Sequence, residues 1–452
     1  MRLRVAVTLS LAVLVTGGLV ALDRLVGPVS PAVLGPRGQR SGPGESSGAW
    51  FCPHSGGEGW RAWIAVANPS GRPATLRLTT MGASGGRVET PAEVAPRSSL
   101  YLEVPADQPQ AASTVEFFGA PVGAGMIVSL PRRDGLAADP CAPDAARTWV
   151  VPGGTTIREQ RARLVIMNPF AIEATVDVVI AAPRRVLRPG PLRGLVLPPR
   201  RSRSVDLNRY ALGEKAVAAM VQASLGRVVA GGMGISTTGI RSAIGVSSPA
   251  RTWVLPGDAD DGTTDLQVVV PGREEVPLRV RAQRDGGQAP LVDEASVEAG
   301  FAKSFELEAQ GASLVVESAG QPTMVVSRRT GSFDSGDGAL TAGASAGPAR
   351  WLAMPASGPG GLGARLLLVN PGAGTAHGRV TLLSETGPLD APALGTVTIG
   401  AGRLLVVDLT SVAGFRPVAA LVEVNDGTMV PAQESISIAG YTISVGIPLE
   451  VS

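Results

Sequence analysis

Short runs of β-branched residues and leucine, separated by turn-forming residues, recur along the chain from about residue 50 onwards. Residues 176–181, 217–222 and 404–409 are examples, and runs of about four to eight such residues are typical of strands in compact sheets. Asn425-Asp426-Gly427 separates two more apolar segments and is a hairpin signal, because glycine tolerates the positive φ of a tight turn. The pattern predicts an all-β protein.

Two sequence landmarks repeat in phase along this β-rich region, which indicates an internal repeat. The first is a tryptophan, which in the last three copies precedes a proline by three or four residues: Trp50, Trp149, Trp253 and Trp351, spaced 99, 104 and 98 residues apart. The second is an Asn-Pro step that ends an apolar run 18 or 19 residues later: Asn68-Pro69, Asn168-Pro169 and Asn370-Pro371. The third copy keeps Pro271 and has Val270 where the others have asparagine.

A repeat of roughly 100 residues with about seven short strands has the size of an immunoglobulin-like sandwich. We therefore predict four tandem immunoglobulin-like β-sandwich units after an N-terminal helix, over residues 50–148, 149–252, 253–350 and 351–452. Residues 208–220 contain helix-forming residues, but their alignment with the fourth unit predicts a one-turn helix or loop followed by a strand.

The N-terminal segment has the features of an export signal. Arg2 and Arg4 precede the 18 uncharged residues 5–22, and a helix of that length spans about 27 Å, close to the roughly 30 Å of a bilayer core. Residues 1–25 are interpreted as an uncleaved membrane anchor or as a cleaved signal peptide, and we favour the anchor. Residues 26–49 are rich in proline and glycine and predict a linker. The expected location is a single-pass membrane protein with an extracytoplasmic C-terminal part, or a secreted protein if the signal is cleaved.

Composition limits the chemistry that the chain can perform. Its 40 basic and 38 acidic residues give a net charge of +2, which argues against a nucleic-acid partner. The two histidines, His54 and His377, show no metal-binding spacing and are expected as surface or loop residues. We therefore expect no cofactor and no enzymatic activity.

The two cysteines, Cys52 and Cys141, lie near the start and the end of the first unit. Outside the membrane a disulfide is allowed, so we expect a Cys52–Cys141 bridge. The alternative is two free thiols, with Cys52 and His54 as a reactive pair.

Charge is distributed unevenly between the units. The second unit has 15 basic and 5 acidic residues, whereas the third has 8 basic and 15 acidic ones. Seven arginines are concentrated in one region of the second unit: Arg184, Arg185, Arg188, Arg193, Arg200, Arg201 and Arg203. Guanidinium groups suit phosphate or carboxylate ligands, so one hypothesis is a site for an anionic ligand. The alternatives are a solvated hairpin or ion pairs with the acidic third unit.

An acidic stretch opens the third unit and resembles a calcium loop, with Asp258, Asp260, Asp261 and Asp265 as candidate ligands. The glycine and glutamate positions of a helix–loop–helix calcium site are not matched. A calcium site and a solvated acidic loop are both compatible with this stretch.

Trp50-Phe51-Cys52-Pro53, the strands that end in Asn-Pro, the Trp-x-x-Pro boundaries and the single N-terminal apolar segment together suggest a family relationship. The chain resembles an actinobacterial family of envelope proteins of unknown function. The resemblance implies a membrane-anchored, non-catalytic protein connected with cell-surface glycan assembly. We therefore expect a scaffold or interaction module whose partners are the membrane, through the N-terminal helix, and envelope proteins or glycans. The alternative is a binding module for an anionic envelope polymer through the arginines of the second unit.

Overall fold

The computed structural model describes residues 47–449 apart from residues 57–58, 106–109, 131–134, 238, 259–263, 321–322, 331–337, 346, 348, 360–362 and 438–439. All described residues belong to one compact unit, which spans Arg40–Ser452. The predicted anchor and nearly all of the predicted linker lie outside the described residues. Within the described ranges, none of the helices is both long enough and apolar enough to cross a bilayer.

The fold is all-β and is built from repeated pairs of antiparallel sheets, as predicted. The first repeat contains β1 (Ser47–Gly56), β2 (Arg61–Asn68), β3 (Ala74–Met81), β4 (Arg87–Val94), β5 (Ser98–Val104), β6 (Ala111–Phe118), β7 (Gly123–Leu130) and β8 (Gly135–Pro140). Its two sheets have the strand orders β1-β6-β3-β4 and β5-β2-β7-β8.

The second repeat has the same plan with a divided fourth strand. Its elements are β9 (Thr148–Gly154), β10 (Arg161–Asn168), β11 (Ala174–Ala181), β12 (Val186–Leu187), the 3-10 helix η1 (Gly190–Leu192), β13 (Leu195–Leu197), β14 (Arg201–Asp206), η2 (Leu207–Arg209), β15 (Val217–Leu225), β16 (Val229–Ile235) and β17 (Ile240–Ile244). The sheets are β12-β11-β15-β9, with β13 also on β11, and β14-β10-β16-β17. The predicted short turn and strand within residues 208–220 correspond to η2 and the start of β15.

The third repeat contains β18 (Thr252–Leu255), β19 (Thr264–Val269), β20 (Val276–Arg284), β21 (Gly287–Val297), β22 (Ala302–Leu307), β23 (Ser313–Ser318), β24 (Val325–Thr330) and β25 (Ala339–Ala342). The fourth contains β26 (Arg350–Ala353), β27 (Ala364–Val369), β28 (Ala376–Ser384), β29 (Gly387–Leu389), η3 (Pro392–Leu394), β30 (Val397–Ile399), β31 (Leu404–Asp408), α1 (Thr410–Ala413), β32 (Ala419–Asp426), β33 (Val430–Ser437), β34 (Gly440–Val445) and β35 (Ile447–Pro448). Each again forms two antiparallel sheets.

The strand order within each sandwich differs from that of an immunoglobulin domain. The first strand of a repeat pairs with the sixth, and the seventh pairs with the second, as β1 with β6 and β7 with β2. In an immunoglobulin domain the first strand instead joins the sheet that contains the second. The last strand of the second sheet in each repeat, such as β8, lies at an edge of that sheet.

The first strand of each repeat contributes to two hydrophobic cores. Successive side chains of a strand point to opposite faces. The four landmark tryptophans pack in the core of their own repeat, whereas the next residue of each joins the core of a neighbour. These next residues are Phe51, Val150, Val254 and Leu352. Phe51 packs in the second core, Val150 in the third, Val254 in the fourth and Leu352 in the first.

The contact of Leu352 with the first core closes the four repeats into a ring. Leu352 and Met354 lie over Gly123 and Gly125 of β7, and a Cβ added to these glycines would come within 2.5 Å and 3.0 Å of the two side chains. The absence of side chains at these glycines allows the close approach of the fourth repeat. The last strands also meet, since β8 lies against β17 and β34, and β25 lies against the same two strands. The Ala138 amide donates to Thr442 Oγ1 over 3.0 Å across this boundary.

The Asn-Pro landmark is a buried hydrogen-bonding junction. The side-chain amide of Asn168 donates to the carbonyls of Ile172, Leu197 and Pro198, and its Oδ1 accepts the Phe170 amide. Asn68 and Asn370 make the equivalent contacts, and all three asparagines are buried. The asparagine thus satisfies carbonyls where proline ends the strand. In the third repeat the buried Val270 bonds through its backbone to Phe301 and Gly300 instead.

The expectation of a surface or loop position for His54 is wrong. His54 lies on β1 and is fully buried. Its Nδ1 accepts the Gly56 amide over 3.1 Å, and its Nε2 lies 2.9 Å from Ser113 Oγ. Burial lowers the pKa of His54 to about 3, because the charged imidazolium would lose its hydration. His377, by contrast, is exposed as expected.

Leu352→Ala tests the closing contact between the fourth and first repeats. The substitution leaves a cavity in the first core, so we expect the free energy of unfolding to fall by about 2–5 kcal/mol in a denaturant titration. The control is Val406→Ala on the surface of the same repeat, which should change stability by less than about 0.5 kcal/mol. Equal effects of the two substitutions would contradict the role of Leu352.

His54→Gln tests the buried neutral imidazole. Between about pH 6.5 and pH 3 the unfolded chain binds a proton at His54 that the folded chain does not, so wild-type stability falls as the pH is lowered. Between pH 7 and pH 5 the wild type should lose roughly 2 kcal/mol more unfolding free energy than His54→Gln does.

His377→Gln is the matched control for this comparison, because its imidazole is exposed and it should retain the wild-type pH dependence. The His54 ring can also be followed by NMR in the wild type, where its Cε1 proton shift should stay constant down to pH 4.5. A His54 titration near pH 6.5 is the result that this structure does not allow.

Candidate functional site

The structure separates the seven arginines that the sequence grouped together. Arg185 forms an ion pair with Glu214 of its own repeat at 2.8 Å. Arg201 reaches the first repeat, where its Nη1 donates to the Ala83 carbonyl over 3.1 Å and its guanidinium covers Gly85. Arg184, Arg188, Arg193 and Arg200 are exposed and do not line the groove described next. An ion pair between the second and third repeats is formed by another basic residue, Lys215, which pairs with Glu306 at 3.2 Å.

An open groove of about 850 Å³ runs along β14 at the boundary of the first and second repeats. Two of the predicted arginines, Arg201 and Arg203, line it together with three that the sequence pattern missed: Arg161, Arg163 and Arg209. Its walls include Pro191, Pro198 and Tyr210 from the second repeat, and Ala83 and Gln110 from the first. Arg161 and Arg163 are far from Arg203 and Arg209 in sequence, and the pairing of β10 with β14 brings the two pairs to one groove.

Strand pairing and one turn position the additional arginines. Arg161 and Arg163 are two residues apart on β10 and so point to the same face. Asn208, in η2, holds the turn after β14 against the start of β10, because its Oδ1 accepts the Ala162 amide over 2.9 Å and its Nδ2 donates to the Gln160 carbonyl over 2.8 Å. Arg209, the next residue after Asn208, is thus held near the start of β10, and it lines the groove. We name Arg161, Arg163, Arg203 and Arg209 the groove arginines.

The groove arginines carry little compensating negative charge. Within the described part of the chain none of the four lies within ion-pair distance of a carboxylate. Asp206 is the one acidic residue among the described lining residues, and its Oδ1 accepts the Asn208 amide over 3.1 Å. The arrangement can bind an anion by charge-assisted hydrogen bonds.

The candidate calcium ligands are only partly described. Asp260 and Asp261 lie outside the described residues. Asp258 pairs with Arg365 at 3.3 Å, and Asp265 pairs with Arg329 at 3.0 Å, so both carboxylates have guanidinium partners. In the described ranges, no group of three or more His, Cys, Asp or Glu side chains has a metal-binding arrangement. The calcium site stays a prediction.

The boundary between the third and fourth repeats contains a buried polar cluster. Arg365 lies between Asp258 and Glu434, Glu434 accepts the hydroxyl of Tyr441, and the buried Arg328 donates to the Ala312 carbonyl over 2.5 Å. Burial raises the pKa of Glu434, while Tyr441 and Arg365 act in the opposite direction. The hydrogen bonds and opposite charges indicate a structural junction.

Cys52 and Cys141 form a disulfide, as the sequence predicted. The bridge joins β1 to the residue that follows β8 and so fastens the two sheets of the first repeat. The alternative of free thiols with a reactive Cys52–His54 pair is therefore wrong for this structure.

The buried His54–Ser113 pair does not have the geometry of an activated nucleophile. The Gly56 amide donates to Nδ1, so the neutral ring carries its proton on Nε2 and donates to Ser113 Oγ. A general base would need the opposite arrangement, with Nε2 accepting the serine proton. Ser113 is also fully buried and has Thr80 as a further partner, which marks the pair as part of the core.

Comparison with known proteins gives a family of unknown function. The sequence profile of the "Family of unknown function (DUF5719)" matches residues 119–337, from the end of the first repeat into the third. No curated protein matches the chain. A crystal structure of a tetra-tandem repeat in the extending region of a large adhesion protein is 12% identical, covers 90% of this chain and 100% of its own, and has a TM-score of 0.11, which carries no argument about the fold. Over residues 119–337 the chain is thus similar to a family of unknown function.

Proposed function

We propose that the chain is a non-catalytic interaction module of the cell envelope, which holds envelope proteins or glycans outside the membrane. The observation that carries this proposal is the closed ring, in which each repeat places a side chain in the core of the next. Such shared cores fix the four repeats relative to one another. A fixed arrangement of loop-bearing surfaces is suited to binding, since rigid scaffolds reduce the ordering cost of association.

The side chains that acid–base or nucleophilic chemistry would use are engaged in structure. Cys52 and Cys141 are in the disulfide, and His54 and Ser113 are buried. The exposed His377 has Thr398 Oγ1 at 3.1 Å from its Nδ1. These contacts support a binding role rather than turnover.

The disulfide also supports an extracytoplasmic location, because disulfides persist in oxidising compartments. We place the module beyond the membrane, attached by the N-terminal segment or released from it. Participation in cell-surface glycan assembly is the most specific form of the proposal. Binding of an anionic envelope polymer by the second repeat is a second candidate, and the groove arginines favour it.

Sedimentation with insoluble cell-wall glycan tests binding without turnover. The full chain should pellet with the glycan, and the number of reducing ends should stay constant after prolonged incubation. Chain that remains in the supernatant, or a rise in reducing ends, would overturn the proposal.

His377→Gln is the control variant in this assay, since it removes the exposed imidazole from the described surface. The variant should pellet to the same extent as the wild type. A release of reducing ends that disappears in His377→Gln would identify an enzyme.

A further inference from the structure

We propose that the groove along β14 binds an anionic polysaccharide, through guanidinium contacts from Arg161, Arg163, Arg203 and Arg209 to carboxylate or phosphate groups on the sugar chain. The inference rests on the proposed interaction function and specifies its ligand and its site. It replaces the sequence-defined cluster of seven arginines by four residues that the fold brings to one groove.

The repeats provide an internal comparison for the charge of this groove. Arg61 is the counterpart of Arg161, seven residues before the repeated asparagine, and it pairs with Glu103 at 3.3 Å. Arg365 is the counterpart of Arg163, five residues before the asparagine, and it pairs with Asp258 at 3.3 Å. In the second repeat the arginines remain while equivalent ion pairs are not formed among the described residues.

Arginines that share one groove with a single carboxylate, Asp206, repel one another and so reduce the stability of the unliganded protein. Anionic groups spaced along the groove would reduce this repulsion. The planar guanidinium presents a fork of donors that fits a carboxylate or a phosphate with two hydrogen bonds. Because β10, β14 and the Asn208 contacts fix the backbone at all four positions, the arginine stems are anchored before the ligand arrives.

The edge of β14 favours a sugar chain over an acidic peptide. A peptide that adds a strand to a sheet needs free backbone groups on the edge strand. On β14 the Ser204 amide already donates to Gln110 Oε1 over 2.7 Å, and Ser202 Oγ donates to the Gln110 carbonyl. Gln110 of the first repeat thus covers this part of the edge. What remains is an open groove with side-chain donors and the flat ring of Tyr210, which suits a chain of rings bearing anionic groups.

The repeat boundary is part of the site. Ala83 and Gln110 come from the first repeat, and the arginines come from the second. The contacts between the first and second repeats, including Phe51 in the second core, therefore hold both walls of the groove in place. Exposed guanidinium groups are screened by salt, so binding should weaken as the ionic strength rises.

Fluorescence anisotropy with three labelled probes tests this site in the full chain. The probes are an oligogalacturonate, a phosphomannan polymer and poly-glutamate, which carry carboxylates on sugars, phosphates on sugars and carboxylates on a peptide. We expect the oligogalacturonate or the phosphomannan to bind, and the preferred one identifies the anionic group. Equal or stronger binding of poly-glutamate would overturn the assignment to a polysaccharide.

Arg203→Ala/Arg209→Ala removes two groove arginines, and the dissociation constant of the probe should then rise at least about tenfold. Arg184→Ala/Arg188→Ala is the matched control, because it removes the same charge from exposed positions of the same repeat outside the groove. The control should bind like the wild type. Equal losses in the two variants would show non-specific attraction and overturn the site.

Arg203→Lys/Arg209→Lys keeps the charge and removes the forked donors, and it should bind less tightly than the wild type and more tightly than the alanine variant. Circular dichroism melting of each variant confirms that folding is retained. The outcomes can be separated from those of the sedimentation experiment. If probe binding depends on the groove but the chain does not sediment with cell-wall glycan, only the proposed envelope function is contradicted. Sedimentation that survives Arg203→Ala/Arg209→Ala contradicts the groove alone.

Discussion

The alternation of side chains along the first strand of each repeat is the constraint on which the structure depends. One side chain, a tryptophan, fills the core of its own repeat, and the next fills the core of the following repeat. Two successive side chains of a strand point to opposite faces. The tryptophan therefore packs in its own repeat, and the residue after it joins that repeat to the next. In the fourth repeat this rule brings Leu352 to the first core. The ring is thus the result of applying one local rule four times.

Ring closure explains where polar groups become buried. Asp139 lies on β8 where the repeats meet; burial raises its pKa well above the ordinary range, although the Ile244 amide hydrogen bond acts in the opposite direction. Arg328 and Glu434 are buried where the third and fourth repeats meet. At the first boundary, by contrast, the groove arginines stay open to solvent. The same kind of boundary thus carries a closed polar junction in one place and an accessible charged groove in another.

Periodic features could be predicted from the sequence, whereas contacts between distant segments could not. The tryptophan and Asn-Pro spacings indicated repeated β-rich units, and the two cysteines indicated the disulfide.

The contact of Leu352 with β7 has no local signature, because glycine at positions 123 and 125 is also compatible with a loop. His54 was misjudged since its contact with Ser113 forms only when β6 pairs with β1. The arginine site was only partly found: Arg203 was included, but Arg161 and Arg163 lie on β10, and they reach the same groove only because β10 pairs with β14. A counterpart comparison with Arg61 and Arg365 could have drawn attention to them.

The distance between the first and fourth repeats tests the ring most directly. Ser99 Oγ donates to the Leu383 carbonyl over 2.9 Å, so spin labels at the nearby exposed positions Ala95→Cys and Glu385→Cys report on this boundary. With at most 3.8 Å per residue along the chain, the structure predicts a separation below about 30 Å by double electron–electron resonance. An open array would put two whole repeats, each roughly 30 Å across, between the labels and give more than about 60 Å, which would contradict the closed ring.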